Sequence, residues 1–161
     1  MNGVPSIVIG IFAFEAIVRP THRASGPAAS TALAVLMLPI MVRANEEAIR
    51  SVPTDVQEAG AALGASRWRV VRSVVLRTCL PGLVSGNILA LARVTGETAP
   101  LLFTLASPTL AISLLIYTDG TQPFPAAQQV AWAAALVLLA AVLALSILAR
   151  AIGWSLTRRS R

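Results

Sequence analysis

Residues 130–149 read VAWAAALVLLAAVLALSILA, with no charge and no proline. A helix that crosses a bilayer needs about 20 mainly apolar residues, and this stretch meets that requirement. Trp132 and Trp154 stand near its two ends, where interfacial anchors belong. The rest of the chain has the same character. Hydrophobic residues make up 56% of the 161 residues, charged residues only 12%, and the mean hydropathy is +0.74. An ordinary soluble domain carries roughly a quarter charged residues. There is too little polar surface to coat a water-soluble particle. Disorder is excluded too, because it requires low hydrophobicity and high net charge.

Working outward, the distances between charges mark further spans. Residues 26–42 (GPAASTALAVLMLPIMV) carry no charge, and Pro39 is tolerable there because prolines are frequent in membrane helices. Residues 4–18 form a shorter run containing Glu15, which reads as a structural group facing a neighbouring span or the outer interface. Residues 81–105 are a fourth candidate, interrupted by Arg93 and Glu97. The prediction is an all-α membrane protein with about four transmembrane helices, forming one domain over 1–161. The chain opens MNGVPSIVIGIFAFEAIV, with no basic residue before the apolar run. A secretory signal has such a residue, so 4–18 reads as a retained span.

The net charge of +6 raises the question of nucleic acid, and the placement of the basic residues answers it. All thirteen are arginines. Arg43, Arg50, Arg67, Arg69, Arg72 and Arg77 cluster in one loop, and Arg150, Arg158, Arg159 and Arg161 at the C-terminus. The positive-inside rule places both clusters in the cytoplasm, so an even number of crossings separates them. Crossings at 81–105 and 129–150 satisfy this, with 106–128 outside and 151–161 as a cytoplasmic tail. That outer segment holds Pro108, Asp119, Gly120, Pro123 and Pro125 and no basic residue, with Tyr117 as an anchor. The arginines are mainly signals of orientation, and the expected partner is a lipid bilayer, not nucleic acid.

Residues 43–80 form the one long polar segment. Glu46 and Glu47 lie within helical reach of Arg43 and Arg50 as ion-pair partners. Thr54 with Gln57 reads as a capping box opening a short helix. Val56, Ala59 and Leu63 then give it a narrow apolar face, and Ala59, Gly60, Ala61 and Ala62 keep it thin. Gly64 suits the position just past its end. Ser66 can cap a second helix from Arg67, with Trp68, Val71 and Val75 along one face at the membrane interface before Pro81 opens the next span. The loop is predicted to be a cytoplasmic helix-turn-helix.

This loop resembles that of the type I ABC-importer permeases. Their cytoplasmic signature is Glu-Ala-Ala, three residues, Gly, nine residues, Ile, any residue, then Leu-Pro. The match falls on Glu58, Ala59 and Gly64, and conservatively on Val74 before Leu76. Gly60 departs from the usual Ala and Arg77 from the usual Pro. The resemblance implies that Glu58, Ala59, Gly60 and Gly64 belong to a coupling helix that docks into a groove on a cytoplasmic ATPase.

Residues 88–103 (ILALARVTGETAPLLF), with GVPSIVIGIF at 3–12 and MLPIMVRANEEAIRSVP at 37–53, look like the permeases of phosphate importers, the PstA type. That likeness extends to the last span and covers nearly the whole chain. It implies a permease subunit of an ATP-driven inorganic phosphate importer in the bacterial plasma (inner) membrane. The implied partners are a second permease subunit in a heterodimer, a dimeric ATPase and an external phosphate-binding protein. Such permeases have about six spans, so the resemblance implies that this chain corresponds to the C-terminal two-thirds of one. Permeases for sulfate, molybdate or phosphonate share the loop and remain the alternative, as does a truncated membrane fragment that only docks the ATPase.

Arg93 and Glu97 are four apart, on one face of an expected helix and within pairing reach. An ionised side chain at mid-bilayer costs about 2.5–3.5 kcal/mol on insertion scales, so such groups face a bundle interior or a water-filled path. Arginine grips phosphate oxygens bidentately. The expectation is a substrate path with Arg93 attracting the oxyanion and Glu97 holding the guanidinium. A purely structural ion pair between spans is the other reading. No Walker-type phosphate loop occurs, so ATP hydrolysis falls to a partner. His22 and Cys79 stand alone, so neither zinc nor an internal disulfide is expected. No catalytic residue, metal or cofactor is predicted, and Cys79 reads as a small apolar residue.

Overall fold

The computed structural model describes residues 5–159, with the side chains of 157–159 excepted. Every regular element among them is helical. Val4, at the start of the expected first span, and Arg161 lie outside the described residues, as do the side chains of Arg158 and Arg159.

The first helix, α1 (Ser6–Ala13), continues into a π-helical segment, Phe14–Val18, and a last turn, Arg19–Thr21. Pro20 gives a physical reason for the widening, because its ring crowds the carbonyl four residues back, that of Ala16 within the π segment. Glu15 pairs with Arg19 one turn on, both exposed. His22, left-handed at φ 51°, ends the run. It stops short of the about 20 residues a span needs.

Among the described residues, three helices are long and apolar enough to cross a membrane by length and composition. They are α2 (Gly26–Arg50), the helix Arg67–Thr95, and the apolar part of the last helix, Pro125–Leu156. Between the first two lies α3 (Thr54–Ala62), so Arg67–Thr95 is α4. After it come α5 (Ala99–Thr104), a 3-10 turn Pro108–Leu110, α6 (Ile112–Gly120) and α7 (Pro125–Arg159). Of the about four expected spans, three correspond to these helices; the first, 4–18, has no helix of that length among the described residues.

Two expected boundaries move. Pro81 does not open a span, because α4 already runs from Arg67 and carries Pro81 inside it. The expected span 81–105 is not one helix either. It stops at Thr95, and α5 begins at Ala99 with Pro100 in its first turn. Glycine at 96, and Pro100, which lacks an N–H and would crowd the carbonyl of Gly96 four residues back in a continuous helix, favour a break here. The segment expected as an outer loop, 106–128, folds largely into the 3-10 turn and α6.

Within α4, Val71–Val75 is π-helical. Val70, Val75 and Cys79 are buried, five and four residues apart. A π turn adds about one residue to a turn, and that extra residue brings Val70 and Val75 onto the same side. It also corrects the expectation that Trp68, Val71 and Val75 share one face: Trp68 and Val71 are exposed and only Val75 of that trio is buried. Val52, Val75 and Cys79 cluster, with Leu83 against them.

The chain divides into two compact units. One draws on the chain up to Pro39 and on Leu91–Ala144, the other on Ile40–Ala90 and the chain from Leu145 onward. In the second unit α4 is packed on small residues. A Cβ placed on Gly82 would lie 3.1 Å from that of Ala48, and one on Gly86 3.0 Å from that of Ala44. Small residues four apart, GLVSG at 82–86 and ANEEA at 44–48, therefore face each other. Ser85 Oγ donates to Pro81 O at 2.8 Å and to Ala149 O on α7 at 3.1 Å. Gly153, four residues beyond the fully buried Ala149, packs on Ser85. Both arginine-rich segments, 43–77 and the chain from 150, fall in this unit.

Gly86→Leu would drive a branched side chain into Ala44 and should cost at least the 1–3 kcal/mol typical of overpacking. Ser85→Ala loses one interhelical hydrogen bond, worth about 0.6 kcal/mol. Thermal unfolding in detergent micelles should rank wild type, Ser85→Ala, then Gly86→Leu. A Gly86→Leu midpoint equal to wild type would contradict this contact.

Candidate functional site

The chemistry-bearing residues occupy two places. The first is the loop containing α3. Its helix opens at Thr54 behind Pro53, and no side chain caps it, so the expected Thr54–Gln57 capping box does not form. Thr54 is already helical, one position too late for its hydroxyl to act as the N-cap. The far end is as expected. Gly64 has φ 78°, and its N–H donates to Ala61 O at 2.9 Å, closing the helix in a left-handed turn. Ser66 takes the N-cap position of α4, with its carbonyl accepting from Val70 N at 3.0 Å, but its hydroxyl makes no cap.

The apolar face of α3 is uncovered. Val56 is 38% exposed and Leu63 89%, with Ala59 and Glu58 exposed between them. Gly60 turns the other way. A Cβ there would meet the Val70 side chain at 3.2 Å, so α3 rests on the first turn of α4 at this glycine. The departure from the usual Ala thus has a local cause, one the spacing of the signature could not reveal. Glu58, Ala59, Gly60 and Gly64 are brought together on one short helix and its cap. Glu46 pairs with Arg50 at 2.8 Å, as expected.

The second place is the break after α4. Arg93 is exposed, in the last helical turn, and Glu97 is half-buried beyond the helix end. They form no ion pair; among the described residues the pairs are Glu15–Arg19 and Glu46–Arg50. The expected hold of Glu97 on the guanidinium is therefore corrected. The helix ends between them, so they no longer share a face.

The Glu97 backbone has its own partner. Ser113 Oγ on α6 donates to Glu97 O at 3.1 Å, and Thr98 Oγ1 donates to Ser113 O at 3.4 Å. This reciprocal clasp holds the broken backbone on α6. On its other side, α1 packs against α5. A Cβ on Gly10 would lie 2.8 Å from Pro100 Cα and 3.3 Å from Ala99 O, which leaves no room for any side chain. Leu101, Ala29 and Leu114 form the apolar cluster beneath, and Ser25 N donates to Thr104 O at 2.9 Å. Sequence reasoning missed Ser113 and Gly10. Ser113 carries no motif, and Gly10, although within the stretch 3–12, has only Ser6 four residues before it as a sign of close helix approach.

Over residues 1–158 the chain matches the family described as binding-protein-dependent transport system inner membrane component. The chain belongs to that family. Its long apolar helices accord with a multi-pass protein of the inner membrane. Among similar proteins, the phosphate transport system permease protein PstA of Yersinia pestis is 39% identical over 158 residues, covering 92% of this chain and 54% of its own. That of Pasteurella multocida is 38% identical over 156 residues, covering 91% and 56%. PstA 1 of Mycobacterium tuberculosis is 39% identical over 173 residues, covering all of this chain and 56% of its own. The chain spans about half the length of these relatives. No solved structure matches it.

The Gly60 contact can be tested against helix propensity. Gly60→Ala gains about 1 kcal/mol of propensity, offset by the tight approach of Val70, so its thermal midpoint should stay near wild type. Gly60→Leu should push α3 off α4 and expose 54–66 to protease, and adding Val70→Ala should reverse much of that. Equal protease resistance in all three variants would exclude the contact.

Proposed function

We propose that this chain is the membrane-spanning permease part of an ATP-driven importer of inorganic phosphate. The relatives named as phosphate permeases match it across nearly its whole length, which supports the substrate. The observation that carries the reading is α3. It is a short helix with Val56, Ala59 and Leu63 uncovered, closed by a left-handed glycine and resting on α4 through Gly60. A thin helix with an open apolar face suits a groove on another protein. In this reading the groove belongs to a dimeric cytoplasmic ATPase that hydrolyses ATP. A second permease subunit completes the path, and an external binding protein delivers phosphate.

The same reading orients the chain. The polar loop from 43 to the arginine-rich start of α4 and the tail 151–161 lie in the cytoplasm, and 106–128 outside, consistent with the gathering of both arginine-rich segments in one compact unit. Arg93 lines the path. Its guanidinium has no carboxylate partner among the described residues, so its charge is available to an oxyanion. Glu97 stands nearby as a fixed negative charge that limits how tightly phosphate is held, because conduction requires release. The broken backbone at 96–98 fits such a role, since irregular backbone at membrane depth is tolerated where it is buried in protein or lines a water-filled cavity.

The test is phosphate uptake by the complete transporter in proteoliposomes, with insertion of each variant verified. Arg93→Ala should lower uptake at least about tenfold, the scale of one lost charged contact of about 1.5–3 kcal/mol, and Arg93→Lys should recover part of it. Leu63→Asp should instead reduce the amount of ATPase that co-purifies. Normal uptake by Arg93→Ala would remove that residue from the path, and normal ATPase recovery with Leu63→Asp would remove α3 from the coupling role.

A further inference from the structure

The outer side of α4 carries a feature that transport and coupling leave unused. Trp68, Arg72, Leu76 and Leu80 are spaced four residues apart along it. All four are exposed, Trp68 at 71%. Arg67 and Arg69 flank the tryptophan and are exposed too. The opposite side of the same segment is the buried one, with Val70, Val75 and Cys79. The stripe therefore changes character along the helix, from guanidinium and indole to leucine, with the exposed Arg77 beside Leu76. From Trp68 to Leu80 the rise is about 18 Å at 1.5 Å per residue.

The arginines of this stripe have no carboxylate partner. The ion pairs among the described residues are those of Arg19 and Arg50, and the nearest acids in sequence, Asp55 and Glu58, pair with neither Arg67, Arg69 nor Arg72. Three guanidiniums within six residues, unneutralised, call for an anion. The leucines that follow on the same side set its kind. A soluble protein surface would engage the basic end alone, whereas a ligand with a charged head and an acyl tail matches both ends. Indole rings favour the headgroup level, guanidiniums chelate phosphate oxygens, and juxtamembrane arginines attract anionic lipid.

We propose that Arg67, Trp68, Arg69 and Arg72 form a binding site for the phosphate headgroup of an anionic glycerophospholipid, whose acyl chain lies along Leu76 and Leu80. The site needs only that α4 enters the bilayer, and holds whatever the transported solute. Its phosphodiester ligand is a membrane component, distinct from any free phosphate.

The purified chain in detergent, offered equal phosphatidylglycerol and phosphatidylcholine, is examined by native mass spectrometry for retained lipid. Wild type should prefer phosphatidylglycerol at least about fivefold, the factor expected from one juxtamembrane arginine. The variant R67Q/R69Q/R72Q should show no preference, while Arg150→Gln keeps it. Trp68→Ala should bind less of both lipids with the preference intact. R67K/R69K/R72K, which conserves charge and lacks the bidentate fork, should keep part of the preference. High salt, with a Debye length of about 3 Å at 1 M, should reduce it in wild type, a readout that does not depend on any variant folding. A preference that survives both the glutamine substitutions and high salt overturns the proposal. So does its displacement by inorganic phosphate, which would mark a site for the free anion.

Discussion

Helices in a bilayer gain nothing from hiding apolar surface against each other, because lipid tails are as apolar as leucine; close van der Waals contact and hydrogen bonds must hold them. The structure depends on this constraint most visibly at α4. Gly82 and Gly86 bring its backbone against Ala48 and Ala44, and Ser85 on a neighbouring side bonds the carbonyl of Ala149. One helix is thus engaged by two others through residues with almost no side chain. The polar loop follows from this arrangement. Because α4 is held in place, its first turn offers Val70 as a support, and α3 needs only the absence of a side chain at Gly60 to rest there.

A second constraint acts at the break between α4 and α5. Interrupting a helix frees carbonyls and N–H groups that have no water to turn to in hydrocarbon. Here the freed groups are satisfied locally. Glu97 N donates to Val94 O at 3.0 Å, Ser113 takes up the Glu97 carbonyl, and Thr98 O accepts from Leu101 N at 3.0 Å. Gly10 lets α1 press on Ala99 and Pro100 from the other side. Arg93 and Glu97 are therefore presented by a backbone that is irregular yet hydrogen-bonded.

Much of this was legible in the sequence, and the failures have physical causes. Charge spacing found the long apolar helices because hydropathy over about twenty residues is a strong signal. Gly64 was placed correctly because a left-handed helix end is nearly a glycine monopoly. Pro81 misled because proline was taken as a boundary, whereas α4 absorbs it; Pro39 in α2 had been allowed that freedom. The Arg93–Glu97 pair misled because helical spacing was assumed across Gly96. The small-residue pairs of α2, α4 and α7 were present as GLVSG, ANEEA and ARAIG, but alanine-rich composition hides them. Ser113 has no pattern and Gly10 only the Ser6 spacing, since each owes its role to a neighbour distant in sequence.

The π-helical segment of α4 can also be seen as an angular spacer. An α-helix turns about 100° per residue, so one residue more or fewer in 71–75 rotates everything before it by that amount relative to everything after. Val70, and with it the support under α3 at Gly60, is aimed by this single extra residue. The length of these five positions thus sets the heading of the loop that carries α3. A one-residue deletion there would leave every remaining side chain chemically intact and point the loop elsewhere.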